Sequence, residues 1–370
     1  MSLSLGVGFA PYFLASIYAI AKENTPQTKL ESFGFLNLVA NQSSRAEVTL
    51  NAAKAGHRRS LRVKKMQRLT KDFTDTTLSC DNTNVIPYYE NDVDLNITRQ
   101  VAIHLTDEDV ARYQDEASNL INIGTPSTSI LMGLYERVLV ATNAIMQGVN
   151  DDAFTLAVAQ IGVNRRTGSS ASSTINLNLA TTTNPLSDGE TQILADFRNN
   201  GGIGRPQVVG SGLMYNYFLQ QSFKTGFQSN GIDTRLAAAS MDFYNDLAST
   251  SILGTNQIIA YQPNSVQLVE YLAYKGFKAG AKPGASTFFT MMLPVYGSNT
   301  PVEFDVQLRY NDCQTTMTDA YYGTTLTLEK GYNIIISKQA GLWTIPADAY
   351  RATDVLNGNR GSLRYTITNA

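Results

Sequence analysis

Between Asp92 and Leu105 the chain alternates apolar and polar residues more cleanly than anywhere else in its 370 residues. In DVDLNITRQVAIHL, Val93, Leu95, Ile97, Val101, Ile103 and Leu105 share one side, and Arg99 breaks the row. Asp92, Asp94, Asn96, Thr98 and Gln100 share the other. A period of two over that length predicts one long strand with a dry face and a wet face. Upstream, SLRVKK at 60–65 alternates apolar and basic side chains in the same way, and the polar stretch TDTTLSCDNTN separates the two. Two long strands joined by a polar tip make an extended hairpin arm. Such a ribbon is marginal alone in water and needs a surface to lie on.

The period then changes to that of a helix. In HLTDEDVARYQDEASNLI, Thr106 is placed as N-cap, Asp109 sits where a capping box wants an acid, and Val110, Tyr113, Ala117 and Leu120 follow at helical spacing until Pro126. A second helix is predicted from about Ser127 to Gln147, ~30 Å long at 1.5 Å per residue. The sequence NDDAF at Asn150 reads as the N-cap of another. Residues 167–183, rich in Ser, Thr and Asn, read as loop and strand. SDGETQILADFRNNGG reads as a capped helix ended by glycine, and RPQVVGSGLMYNYF as a short buried strand turning into a helix. Beyond Ile252 the chain is strand-rich: NQIIAYQ, VEFDVQLRYNDC, TLTLEK, NIIIS and SLRYTIT. Helices and strands mix without a βαβ rhythm, so the class is α+β.

At the front, FAPYFLASIYAIA (9–21) is too short to span a bilayer and lacks a basic n-region, so a packed helix after Pro11 is the reading. With no export signal, the NQS and NIT sequons are not expected to be glycosylated. No membrane association is expected.

Charge changes the picture at one place. The chain carries a formal net charge of −2, yet 54–71 holds eight cations and no acid: Lys54, Arg58, Arg59, Arg62, Lys64, Lys65, Arg68 and Lys71. From Asp72 to Glu116 the balance inverts, with eleven acids against Arg99 and Arg112. A nucleic-acid reader interleaves aromatics for stacking or presents a basic helix, and 54–71 has no aromatic. Attraction between the basic and acidic strands, along the hairpin itself or across a subunit boundary, is the economical reading; DNA binding is the alternative. Arg58, Arg59, Arg62, Lys64, Lys65, Arg68, Asp92 and Asp94 are the candidate inter-subunit contacts.

The inventory of reactive groups is thin. Cys80 and Cys313 are the cysteines, and His57 and His104 the histidines, none in a ligand-like pattern. GVG at Gly6 and GSG at Gly210 lack the context of a phosphate loop. No catalytic residue, cofactor or metal site is assigned, and no enzyme activity is expected. The charged fraction is only 16%, with neutral polar residues in its place, which suits a surface that becomes buried against copies of itself.

A polar arm, a long hairpin with a charged tip, a long helix and a glycine-studded mixed region, in that order, resemble the major capsid protein of tailed bacteriophages, the Hong Kong 97-type fold. ENDVDLNITRQVAIHLTDEDVARY looks like that family's extended E-loop returning to its P-domain, and RPQVVGSGLMYNYF like its strand-then-helix unit. The resemblance implies an N-terminal arm at 1–53, an E-loop hairpin at 54–105 and a P-domain with spine helix at 106–201. An A-domain follows at 202–324, with strands returning to the P-domain core at 325–370. It further implies a virion shell of pentamers and hexamers, assembled in the host cytoplasm, that encloses double-stranded DNA without sequence-specific binding. Portal and decoration proteins belong to that picture, with a separate scaffolding protein or none. An encapsulin-like compartment shares the fold and is the alternative, as is another polymerising virion protein. Reversing Lys64 and Lys65 to glutamate is then expected to impair assembly and spare folding.

Overall fold

The computed structural model describes residues 33–41, 47–50, 60–66, 88–112, 128–161, 175–178, 192–198, 204–216, 241–275, 286–295, 301–319, 321–345 and 361–368. Along the chain come helix α1 (Gly34–Asn41) and strands β1 (Glu47–Leu50), β2 (Ser60–Met66), β3 (Tyr88–Asp94) and β4 (Ile97–Leu105). Helices α2 (107–112) and α3 (Thr128–Ala159) follow, then β5 (Ile175–Asn178), α4 (192–198), β6 (Gln207–Gly210), α5 (212–216) and β7 (Asp242–Asn245). After α6 (Ser249–Ile252) the rest is strand: β8 (Gln257–Tyr261), β9 (Val266–Tyr271), β10 (Ser286–Leu293), β11 (Val302–Asn311), β12 (Thr315–Thr318), β13 (Thr325–Leu328), β14 (Gly331–Thr344) and β15 (Ser362–Thr368). The α+β class read from the sequence holds. The expected helix at 9–21 lies outside the described residues.

The described residues form two compact units. One draws on segments 96–152 and 270–340, the other on 34–95, 153–269 and 341–370. The first is built on an antiparallel sheet in the order β10-β11-β14-β4, with β9 also pairing β14. β14 is its central strand, and Ile334, Ile335 and Ile336 are all fully buried, as a strand covered on both faces requires. Thr142 of α3 donates its hydroxyl to the Pro294 carbonyl at 2.7 Å, fixing the helix at the end of β10. The Thr106 capping box forms as predicted: Asp109 N–H donates to Thr106 Oγ1 at 3.1 Å, and Thr106 N–H to Asp109 Oδ2 at 3.2 Å.

The second unit has a mixed sheet in the order β5-β15-β8-β6-β7, where β5 runs parallel to β15 and β6 to β7. One cluster packs Val208, Ile258, Ala260 and Tyr365 of the sheet with Ile193 and Phe197 of α4. α1 also belongs to this unit's interior. Phe35 stacks on Phe154 with ring centroids 5.1 Å apart, and Phe35 and Leu38 are wholly buried.

Two expectations are corrected. The predicted single strand over 92–105 is two strands: β3 ends at Asp94 and pairs with β2, and β4 begins at Ile97 and pairs with β14. The alternation runs unbroken across Leu95 and Asn96 because the dry face stays buried on both sides of the change of partner. Nor does NDDAF begin a helix. It lies inside α3, whose 32 residues span ~48 Å. Asp152 sits mid-helix because Arg99, the break in the β4 row, grips it with a two-pronged hydrogen bond at 2.8 and 2.6 Å. Gly148 makes room one turn earlier: a Cβ there would stand 2.8 Å from Arg99 Nε. That hydrogen bond is the first cause of a raised guanidinium pKa at Arg99, against an opposing effect of burial.

Candidate assembly interface

The basic strand is the middle strand of a three-stranded antiparallel ribbon in the order β1-β2-β3. Its dry positions, Leu61 and Val63 with Val93 opposite, are buried within the chain's own second unit. A Cβ on Gly341 would meet Val93 Cγ1 and the Asp94 carbonyl at 2.6 Å, so β14's end lies directly against β3. Its wet positions meet acids. Arg62 stands opposite Asp92, and Arg62 Nε donates to Asp92 Oδ1 at 3.2 Å. In the register, Lys64 faces Glu47 of β1 on one side and Glu90 of β3 on the other. Opposite charges directly across an antiparallel pair stabilise it by a few tenths to about 1 kcal/mol.

The attraction between basic and acidic segments thus operates along the hairpin itself at Arg62 and Asp92. Asp94 is exposed and paired in register with Ser60, and Lys65 is placed opposite Tyr89 by its backbone. Arg58, Arg59 and Arg68 lie outside the described residues, as does the polar tip.

Sequence reasoning missed two buried charged sites in the first unit. Lys338, on β14, is fully buried; its Nζ donates to Glu270 at 2.9 Å and to the Glu303 carbonyl at 3.1 Å, 5.2 Å from the Phe304 ring centroid. It stands opposite Arg99 in the register, so two cations face each other, each with its own acid. Asp305, on β11, is equally buried and accepts from the N–H groups of Ala273 and Tyr274, the Thr290 hydroxyl and the Tyr322 hydroxyl. Burial pushes its carboxyl above the usual range, against the pull of those four bonds. Both had a signal: charge inside an apolar strand pattern, Lys338 in NIIISKQAGLW and Asp305 in VEFDVQL.

Among the described residues no His, Cys, Asp or Glu cluster is placed to hold a metal ion, and no helix is long and apolar enough to cross a membrane.

No protein-family model and no curated protein matches the chain. Solved structures do. The Cyanophage A-1(L) capsid asymmetric unit is similar over 93% of this chain and 95% of its own, at 12% identity and a TM-score of 0.45. The capsid structure of Cyanophage P-SCSP1u is similar over 89% and 90%, at 10% identity and 0.39. The bacteriophage PhiM1 mature capsid asymmetric unit is similar over 84% and 82%, at 9% and 0.36. These neighbours are bacteriophage capsid chains.

Proposed function

We propose that this chain is a coat protein of the Hong Kong 97 type, whose copies assemble into pentamers and hexamers of a closed virion shell around double-stranded DNA. The observation that carries the reading is the charge-matched ribbon β1–β3 followed along the chain by strand β4, the capped helix α2 and the 32-residue helix α3. We read the ribbon and β4 as the E-loop at 54–105, and α3 as the spine helix of the P-domain at 106–201. Arg62 is already engaged by Asp92, and Lys64 is flanked in register by two acids, so this part of the basic block is poorly placed to hold a phosphate backbone. A charge-matched ribbon suits protein–protein contact, where complementarity sets register more than raw affinity. Arg58, Arg59, Arg62, Lys64, Lys65, Arg68, Asp92 and Asp94 are the residues proposed to meet a neighbouring copy. Portal, decoration and scaffolding proteins are the partners such a shell takes.

The experiment is sedimentation and electron microscopy of the purified protein, with and without a charge reversal. The native chain is expected to form closed particles. Lys64→Glu with Lys65→Glu is expected to sediment as free subunits while keeping native circular dichroism, because it places an acid between Glu47 and Glu90 in the ribbon and removes a cation at 65. Normal shells from that double variant overturn the role given to the ribbon. Helical tubes from the native protein point instead to another polymerising virion component, and a small shell loaded with enzyme points to a cargo compartment.

A further inference from the structure

Two buried carboxylates in the first unit share two tyrosines reciprocally. Tyr274 donates its N–H to Asp305 at 3.2 Å and its hydroxyl to Asp319 at 3.1 Å. Tyr322 does the reverse, giving its N–H to Asp319 at 3.0 Å and its hydroxyl to Asp305. Ala273 N–H and the Thr290 hydroxyl complete the shell of Asp305 at 2.5 and 2.8 Å, and Tyr321 N–H that of Asp319 at 2.7 Å. Asp305 is 0% exposed and Asp319 6%, and the hydrogen-bond donors that meet them are all neutral.

The ring joins four places in the chain. Asp305 sits on β11, Thr290 on the neighbouring β10, Ala273 and Tyr274 follow β9, and Asp319, Tyr321 and Tyr322 lie between β12 and β13. The ring therefore fastens the β12–β13 hairpin to the sheet, together with the Thr324 hydroxyl, which bonds Gln100 of β4. The ionisable groups packed about it are Tyr271, Tyr274, Tyr321 and Tyr322, with the Tyr321 ring edge-on to Tyr274 at 5.8 Å. The cations on the adjoining elements are turned to other partners. Lys275 bonds Glu303 at 3.0 Å, Arg309 meets the Met317 sulfur, and Lys338 leaves the opposite face of the sheet to reach Glu270.

We infer that this ring is a proton-responsive fastening, which grips the β12–β13 hairpin more firmly as the pH falls. A carboxylate buried among neutral donors has no cation to offset its charge; at Asp305 the cost of desolvation outweighs the pull of its four hydrogen bonds, and a proton removes that cost. The Thr290 and Tyr322 hydroxyls can turn to accept the new O–H, since each both donates and accepts. The raised pKa of Asp305 agrees. With the folded pKa above the unfolded one, the group's contribution to stability is fully present below the unfolded pKa and is lost as pH rises through the folded pKa.

Infrared titration of the full chain tests this. The native protein is expected to show a buried carboxylic-acid carbonyl band that titrates above ordinary aspartates and is absent from Asp305→Asn. On acidification the native melting temperature is expected to fall less than that of Asp305→Asn. Tyr322→Phe removes one hydrogen bond to the charged form, so its band is expected to titrate about one to two pH units higher. A band that survives in Asp305→Asn, melting curves of equal pH slope, or a Tyr322→Phe titration matching the native one each overturns the inference. If Asp305→Asn does not fold, Tyr322→Phe alone decides.

Discussion

Glu270→Ala is expected to lower the stability of the folded chain by about 3–5 kcal/mol, while Lys338→Met costs far less. The two changes break the same ion pair, yet they leave different things behind. Removing Glu270 strands an ammonium group that is 0% exposed and stands directly opposite Arg99. Its remaining support is the Glu303 carbonyl and the face of Phe304. Removing Lys338 instead leaves Glu270, which is 39% exposed and can be hydrated in place. Methionine fills the lysine's volume with an apolar chain beside the Phe304 ring, where such a chain is at home. Urea denaturation followed by far-ultraviolet circular dichroism measures both. Equal losses in the two variants contradict this account.

These buried charges also mark what the sequence could and could not disclose. Local signals were read correctly wherever the physics is local. The Thr106–Asp109 box needs only four consecutive residues, and it forms as written. The alternation of Val93 to Leu105 needs only a buried face, and the face is there. The strands NQIIAYQ, VEFDVQLRYNDC, NIIIS and SLRYTIT carry enough β-branched residues to be found, although NIIIS is a fragment of a strand of fourteen. Misreadings came where a residue's partner is remote. NDDAF at Asn150 resembled an N-cap because the partner of Asp152, Arg99, lies 53 positions away and is invisible to a window of helical length. The break at Leu95 and Asn96 arises from a change of pairing partner, which no periodicity encodes. At the candidate interface the sign inversion between basic and acidic segments was plain. That Arg62 would spend its charge on Asp92 within one ribbon depended on the register, and register is a tertiary fact. The α1 helix was missed for the same reason, since GFLNLVAN is short and has no acidic or basic capping residue of its own.

The missing cap of α1 comes from elsewhere in the chain, and it yields the other large expected effect. Asp246 is wholly buried. Its Oδ2 accepts the Phe35 N–H at 2.7 Å, and its Oδ1 accepts the Ala248 N–H at 2.8 Å. The first N–H groups of a helix have no partner inside it, and a carboxylate there also meets the positive end of the dipole. One side chain thus serves α1 from 211 residues away and the turn into α6 at the same time. Asp246→Ala leaves the buried Phe35 N–H without this acceptor, at about 1–3 kcal/mol, and the half-buried Ala248 N–H at less. Asp246→Asn keeps one acceptor oxygen and points an NH2 at the other donor, so its loss is expected to fall between. Gly34→Ala attacks the same junction sterically: its Cβ would lie 2.1 Å from the Asn245 carbonyl oxygen, a backbone atom that cannot swing aside. Because both changes act by dislodging α1, their effects are not expected to add. The double variant should be little less stable than the worse of the singles, and Phe35 amide exchange should rise in each. Full additivity in thermal or urea unfolding would show that α1 keeps its seat when either contact is lost, and that Asp246 and Gly34 stabilise separate parts of the unit.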